Sequence, residues 1–286
     1  MRASIPTPRT RSLLRALDAT YQARAVPPGT PRYWSWLFAA AELRAPLLGI
    51  YALSAEWRAL LDPATETSVA HLKLAWWREE IRRLAAGSGV HPISGYLAGL
   101  PRAASVDFAP LLTAIDSAAA QAGGVPLERG ADLERQSRAW GGPLALASLL
   151  AADVPDETDL RNCTAALAAA RYLSRAIRGY RREARAGRVP FAIDELLAAG
   201  VGNDDLVADP PPPHLQSYLD GLRDRAAGYF EKAAQTLPRA ERSRQRHLLV
   251  LAALGLARLN GRAAPEGRRR LKDMLLAWTT ARRASR

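Results

Sequence analysis

Apolar residues recur along this chain at helical spacing, and β-branched runs of strand length are nearly absent. A repeat near 3.6 residues lines up one face of a helix, whereas a half-buried strand needs a repeat of 2. The chain therefore reads as all-α. Alanine, leucine and arginine dominate it, and all three are strong helix formers. Candidate helices run at about 10–24, 34–62, 66–86, 92–100, 107–122, 129–152, 157–186, 192–199, 213–236, 239–260 and 267–283. Pro and Gly punctuate them at "PPGTP", "GSGVHP", "AGGVP", "DVPDE", "GRVP", "DPPPP" and "RAAPEG". None of these breaks is long enough for a domain linker. Residues 1–9 are expected to be a flexible N-terminus and 10–286 one domain.

Within "HLKLAWWREEIRRL", Leu74, Trp77, Ile81 and Leu84 share one stripe and should be core. Lys73, Trp76, Glu80 and Arg83 fall on the adjoining face, expected to be an ion-paired surface. The 286 residues are 48% hydrophobic, enough for one large core. Forty Lys and Arg against 28 Asp and Glu leave 40 − 28 = +12, a surface that attracts phosphates, nucleic acid or acidic lipid. No nucleic-acid recognition motif accompanies the charge, so nucleic acid is not the expected partner, although a basic nucleic-acid-binding helical protein stays as a rival reading. The single cysteine, Cys163, excludes an internal disulfide and a thiolate zinc cluster, and its setting in "NCTAALAAA" suits packing. His71, His91, His214 and His247 never fall at metal-ligand spacing, and no Ser, His and acid arrangement presents itself.

No apolar run reaches the roughly 18 residues that a bilayer requires, and "MRASIPTPRTR" lacks a secretory apolar segment. A cytoplasmic protein is expected, with contact at the inner face of the membrane through its C-terminus. There, Arg262 to Arg286 holds eight of the basic residues, and Leu271, Met274, Leu275 and Trp278 form an apolar stripe. The stripe is expected to pack inward and close the bundle, leaving "RRR" and "ARRASR" for anionic headgroups.

Two further stripes concern chemistry. In "IYALSAEWRALLD", Tyr51, Ala55, Arg58 and Asp62 share a helix face that carries a cation beside a lone carboxylate. In "RYLSRAIRGYRREAR", Arg171, Arg175, Arg178, Arg182 and Arg185 are spaced 4, 3, 4 and 3. The plain reading is a solvated cationic face paired with acids elsewhere. The sharper one is an inward row of guanidiniums, which bind phosphate oxygens in pairs and need no metal.

The order of "RYWSWLFAAAELRAPLLGIYAL", "HLKLAWWREEIRRLAAGSGVHP" and "IRGYRREARAGRVPFAIDELLAAGVGNDDL", closed by "RRRLKDMLLAW", resembles the squalene/phytoene synthase family over most of the chain. The resemblance implies an isoprenoid synthase fold, one helical bundle around a central cavity. It also implies an activity: head-to-head condensation of two prenyl diphosphates, with Mg²⁺ held by two facing aspartate-rich motifs. Laid on this chain, the first motif falls on Arg58, Ala59 and Asp62, and the second, after Arg178, on Gly179, Arg182 and Glu183. Each keeps only its distal acid. This pattern resembles the family's non-catalytic branch, whose members assist assembly of respiratory complex I.

The expectation is a non-catalytic protein binding an isoprenoid-like or other anionic amphipathic ligand, or a protein partner. Tyr51, Arg58, Arg175, Arg178 and Arg182 are the ligand-binding candidates. No metal or cofactor is expected. The rival within the family is an active prenyltransferase that uses Mg²⁺ on the remnant acids Asp62 and Glu183.

Overall fold

The computed structural model describes residues 21–155, 157–261 and 266–286. The expectation for residues 1–9, and most of that for a helix at 10–24, lie outside these; 21–25 are helical. The helices that follow are α1 (Pro31–Leu37), α2 (Ala41–Ala59), α3 (Thr67–Ala85), α4 (Pro92–Ala98), α5 (Ala109–Ala122), α6 (Gly130–Arg138), α7 (Gly141–Ala151), α8 (Glu157–Arg185), α9 (Ile193–Ala198), α10 (Asn203–Val207), α11 (Pro213–Thr236), α12 (Arg246–Asn260) and α13 (Glu266–Ala284). No strand occurs among the described residues, where Leu127 and Ala192 form an isolated bridge.

Three expected helices are divided. The run 34–62 breaks between Leu37 and Ala41, where Trp36 donates from Nε1 to the Arg44 carbonyl and Arg44 donates to the Leu37 carbonyl. The second of these bonds satisfies the Leu37 carbonyl, which a continuous helix would have paired. The run 129–152 breaks at Ala139–Trp140, and 239–260 opens with a 3₁₀ turn at Arg239–Glu241 before α12.

α8 is the longest element and packs along α11, with α7 and α6 against its other sides. α7 meets it closely because of Gly141, where an added Cβ would stand 2.7 Å from the Ala165 Cα. That approach holds Trp140, one residue earlier, over the interior. Leu47, Ile50, Leu53 and Trp57 of α2, Leu74, Ile81 and Leu84 of α3, and Leu111 and Ile115 of α5 fill the main core. A second cluster, with Phe191, Leu215, Leu219 and Leu222, packs beneath the C-terminal half of α8.

Glu80 departs from expectation: it is fully buried, not part of a surface, and its Oε1 accepts from the Val90 and His91 amides at 2.8 and 2.7 Å. It clamps the loop that leaves α3 through Gly87, whose φ of +73° suits a glycine. The C-terminal stripe also departs. On α13, Asp273, Ala277 and Ala281 face inward, while Leu271, Met274, Leu275 and Trp278 face solvent. No helix among the described residues is long and apolar enough to cross a membrane.

Candidate functional site

Two cavities lie side by side between α2 and α8. The inner one, of about 20 Å³, is bounded by Arg32, Tyr51, Ser54, Arg58, Trp140, Arg171 and Arg175. The outer one, of about 180 Å³, is bounded by Arg58, Asp62, Tyr172, Arg175, Gly179, Arg182, Glu183 and Arg188, with Leu61, Val125 and Leu127 among its apolar walls. Arg58, Tyr172 and Arg175 form the wall between them.

Helical spacing explains the convergence. Tyr51 and Arg58 are seven residues apart on α2, and Arg171 and Arg175 four apart on α8, so each pair lies on one face. Arg32 enters from α1, a short helix whose N-terminus is capped by Thr30, with Oγ1 accepting from the Tyr33 amide at 3.2 Å. The four guanidiniums are half-buried, and among the described residues none pairs with a carboxylate. Arg32 Nη1 and Arg58 Nε are enclosed without any hydrogen-bond partner.

Aromatic rings take the place of carboxylates. Arg58 lies 4.9 Å from the Trp140 ring centroid, Arg175 lies 5.4 Å from that of Tyr172, and Arg32 lies 6.0 Å from that of Tyr51. Loss of solvent pulls all four guanidinium pKa values down, Arg32 to about 10 and Arg58 well below its ordinary value. Repulsion from arginine neighbours adds to this at Arg32, Arg58 and Arg175. A guanidinium keeps its proton in proteins, so the four count as cations. Burial raises the Tyr51 hydroxyl pKa against the pull of Arg171, Arg32 and Arg58. The Ser35 hydroxyl donates to the His247 carbonyl, so Tyr51 donates to Ser35 Oγ at 3.1 Å. The chamber is thus a concentration of donors and positive charge with no anion of its own.

The outer cavity is organised differently. Asp62 and Glu183 both line it, and Arg182 reaches them at 3.6 and 3.8 Å. Arg188 holds Glu183 at 2.8 Å and donates to the Leu61 carbonyl at 3.3 Å. Each acid is therefore already paired. Mg²⁺ needs several hard oxygen ligands and is repelled by neighbouring cations. Among the described residues no group of three His, Cys, Asp or Glu is placed to hold a metal. With both acids held by arginines and no third ligand beside them among the described residues, the residues present do not fit the Mg²⁺ that the family uses.

Of the ligand-binding candidates, Tyr51 lines the inner cavity, Arg58 and Arg175 line both, and Arg182 the outer one. Arg178 lines neither; it sits within repulsive range of Arg258. Arg171, noted only as part of the stripe, and Arg32 join the cluster. Arg32 carried no signal, because nothing in its local pattern links α1 to α8.

A helical bundle enclosing a cavity between α2 and α8 defines the isoprenoid synthase class. Residues 27–272 match the squalene/phytoene synthase family, and the chain belongs to it. Among solved structures it is similar to a dehydrosqualene synthase in complex with ligand, at 13% identity over 96% of this chain and 98% of that one, with a TM-score of 0.74. It is also similar to squalene synthase HpnC from Alicyclobacillus acidocaldarius, at 20% identity over 98% and 97%, with a TM-score of 0.61. At these identities the likeness speaks for the fold. No curated protein matches the chain by sequence.

Proposed function

We propose that this member of the family has lost metal-dependent prenyl transfer and binds one anionic amphiphile, its phosphate or diphosphate head seated among Arg32, Arg58, Arg171 and Arg175. The observation that carries this reading is the cluster itself, four arginines without a carboxylate around one enclosed space. Charge-assisted, paired hydrogen bonds from guanidinium to phosphate oxygens supply affinity without a metal. What this arrangement lacks for departure of the head group as diphosphate is the Lewis acid that Mg²⁺ supplies.

The inner cavity, at about 20 Å³, has room for about one water as it stands, so seating the head group requires these arginine side chains to part. An apolar cavity of about 150 Å³ is filled by one benzene. The outer cavity, at about 180 Å³, suits a single slender chain and not two prenyl tails side by side. The likeness of "YALSAEW" to the non-catalytic branch points the same way, and a protein partner of the kind that branch serves is compatible with an occupied or empty chamber. The rival reading, an active prenyltransferase, has one observation in its favour: Asp62 and Glu183 share the outer cavity.

The test pairs binding with turnover. Farnesyl diphosphate and inorganic diphosphate should both bind saturably in excess EDTA, read by tryptophan fluorescence or calorimetry. With Mg²⁺ and farnesyl diphosphate, no diphosphate should be released. Release at about one turnover per second, within the ordinary enzymatic range, together with binding that requires Mg²⁺, would establish the transferase instead.

A further inference from the structure

The outward face of α13 is apolar where a solvated helix would be polar. Leu271, Met274, Leu275 and Trp278 are 56%, 36%, 49% and 46% exposed. Their spacing of i, i+3, i+4 and i+7 makes one ridge, about 10 Å long at 1.5 Å per residue. The inward face is fixed. Ala277 and Ala281 pack with Trp34, Val250 and Leu254, and buried Asp273 pairs with Arg258, which also donates to the Gly29 carbonyl at 2.7 Å. The helix therefore cannot roll its ridge inward without breaking that anchor.

Cations border the ridge. Arg282 lies over the Trp278 ring, 5.2 Å from its centroid, and Lys272, Arg283 and Arg286 follow on the same side at 100° per residue. Among the described residues, none of these four has an ion-pair partner. We propose that this face of α13 docks on an anionic bilayer, its ridge entering the headgroup boundary while the bordering cations meet lipid phosphates and carboxylates. Charge selects that occupant: a second copy of a chain with net charge +12 would set the same cations against each other. Attachment is peripheral, because no described helix is long and apolar enough to span a membrane. The inference does not depend on the arginine chamber.

Cosedimentation of the full chain with vesicles tests it. Vesicles of phosphatidylcholine with about one-third phosphatidylserine should bring the protein down at low salt and release it at high salt, and pure phosphatidylcholine should not. The triple change Arg282→Gln, Arg283→Gln, Arg286→Gln should weaken partition about tenfold or more, judged from the worth of each cation near such a surface. Leu275→Ser with Trp278→Ser should weaken it while keeping every charge. In the unaltered chain, brominated acyl chains should quench part of the tryptophan fluorescence, a readout independent of how the variants fold. Equal attachment to both vesicle types, no attachment at low salt, or no quenching would overturn the proposal. So would a stable dimer that Trp278→Ser disperses.

Discussion

Arginines crowd both cavities, yet their neighbours treat them in opposite ways. At the mouth, Arg182 and Arg188 face Asp62 and Glu183, so their fields end within the protein. Inside, Arg32, Arg58 and Arg175 face the rings of Tyr51, Trp140 and Tyr172, which shield them from solvent without neutralising them. Paired cations stabilise the empty protein and have little left for a ligand. Unpaired, half-buried cations destabilise the empty protein and regain that energy when an anion arrives. The mouth is built for the fold and the chamber for something that enters it.

The largest effect should come from breaking the chamber. Arg58→Met removes one guanidinium while keeping a slender chain against Trp140. Diphosphate affinity should fall roughly 10- to 100-fold, corresponding to about 1.5–3 kcal/mol for a hydrogen bond to a charged group. Stability of the empty protein should rise by about 1 kcal/mol, as expected when an uncompensated charge leaves an interior. Isothermal titration and urea denaturation of the same preparations read both, and a fall in stability together with unchanged affinity would erase the contrast drawn here.

The floor of the chamber should be acid-sensitive. His247 is fully buried behind Ser35 and Tyr51, neither ring nitrogen has a partner, and desolvation, reinforced by Arg246, pushes its pKa down from 6.5 to about 3. The folded state therefore resists a proton that the unfolded state accepts. Above pH 6.5 His247 is neutral in both states and contributes no pH dependence; as pH falls toward 3, stability is lost. At about 1.4 kcal/mol per pH unit, lowering the pH from about 7 to about 4.5 should cost about 2–3 kcal/mol from this group. Urea midpoints for His247→Gln should show a correspondingly flatter decline; an identical slope would mean that the floor is wet.

Breaking the mouth should do less. Arg188→Met removes the Glu183 pair, and since such partly exposed pairs contribute about 1 kcal/mol or less, the denaturation midpoint should move slightly and diphosphate affinity by no more than about threefold. A loss as large as that from Arg58→Met would place the anion in the outer cavity. Smallest of all is the expected effect of metal. Titration with Mg²⁺ alone should release no heat of specific binding in the millimolar range, and Asp62→Ala should leave that trace unchanged.

What the residues disclosed before any coordinates depended on whether the relevant physics was local. The stripe of Leu74, Trp77, Ile81 and Leu84 lies on one helix and is buried as its period implies. The pairing of Arg58 with Arg175 followed from two periodic faces plus a family register. Arg32 followed from nothing local, because its role arises from how α1 meets α2 and α12. Glu80 looked like a surface acid since its partners, the Val90 and His91 amides, lie beyond a turn. The ridge of α13 was visible as a ridge, but periodicity alone does not say which of two faces turns inward. Two small alanines and an ion-paired aspartate, not four large apolar residues, proved to be the packed side.

α8 is one uninterrupted helix from Glu157 to Arg185, and it carries Arg171 in the chamber and Arg182 at the mouth. Eleven residues separate them, a distance of about 16 Å at 1.5 Å per residue. A straight helix does not stretch, so this interval acts as a ruler. A molecule anchored by its anion at Arg171 meets water beside Arg182 only if it extends about that far; a shorter one ends inside, and a longer one must trail out past Asp62. Homologous chains of increasing length should therefore separate into those that fit beneath the mouth and those that protrude, a selection by length set by the rise of a single helix.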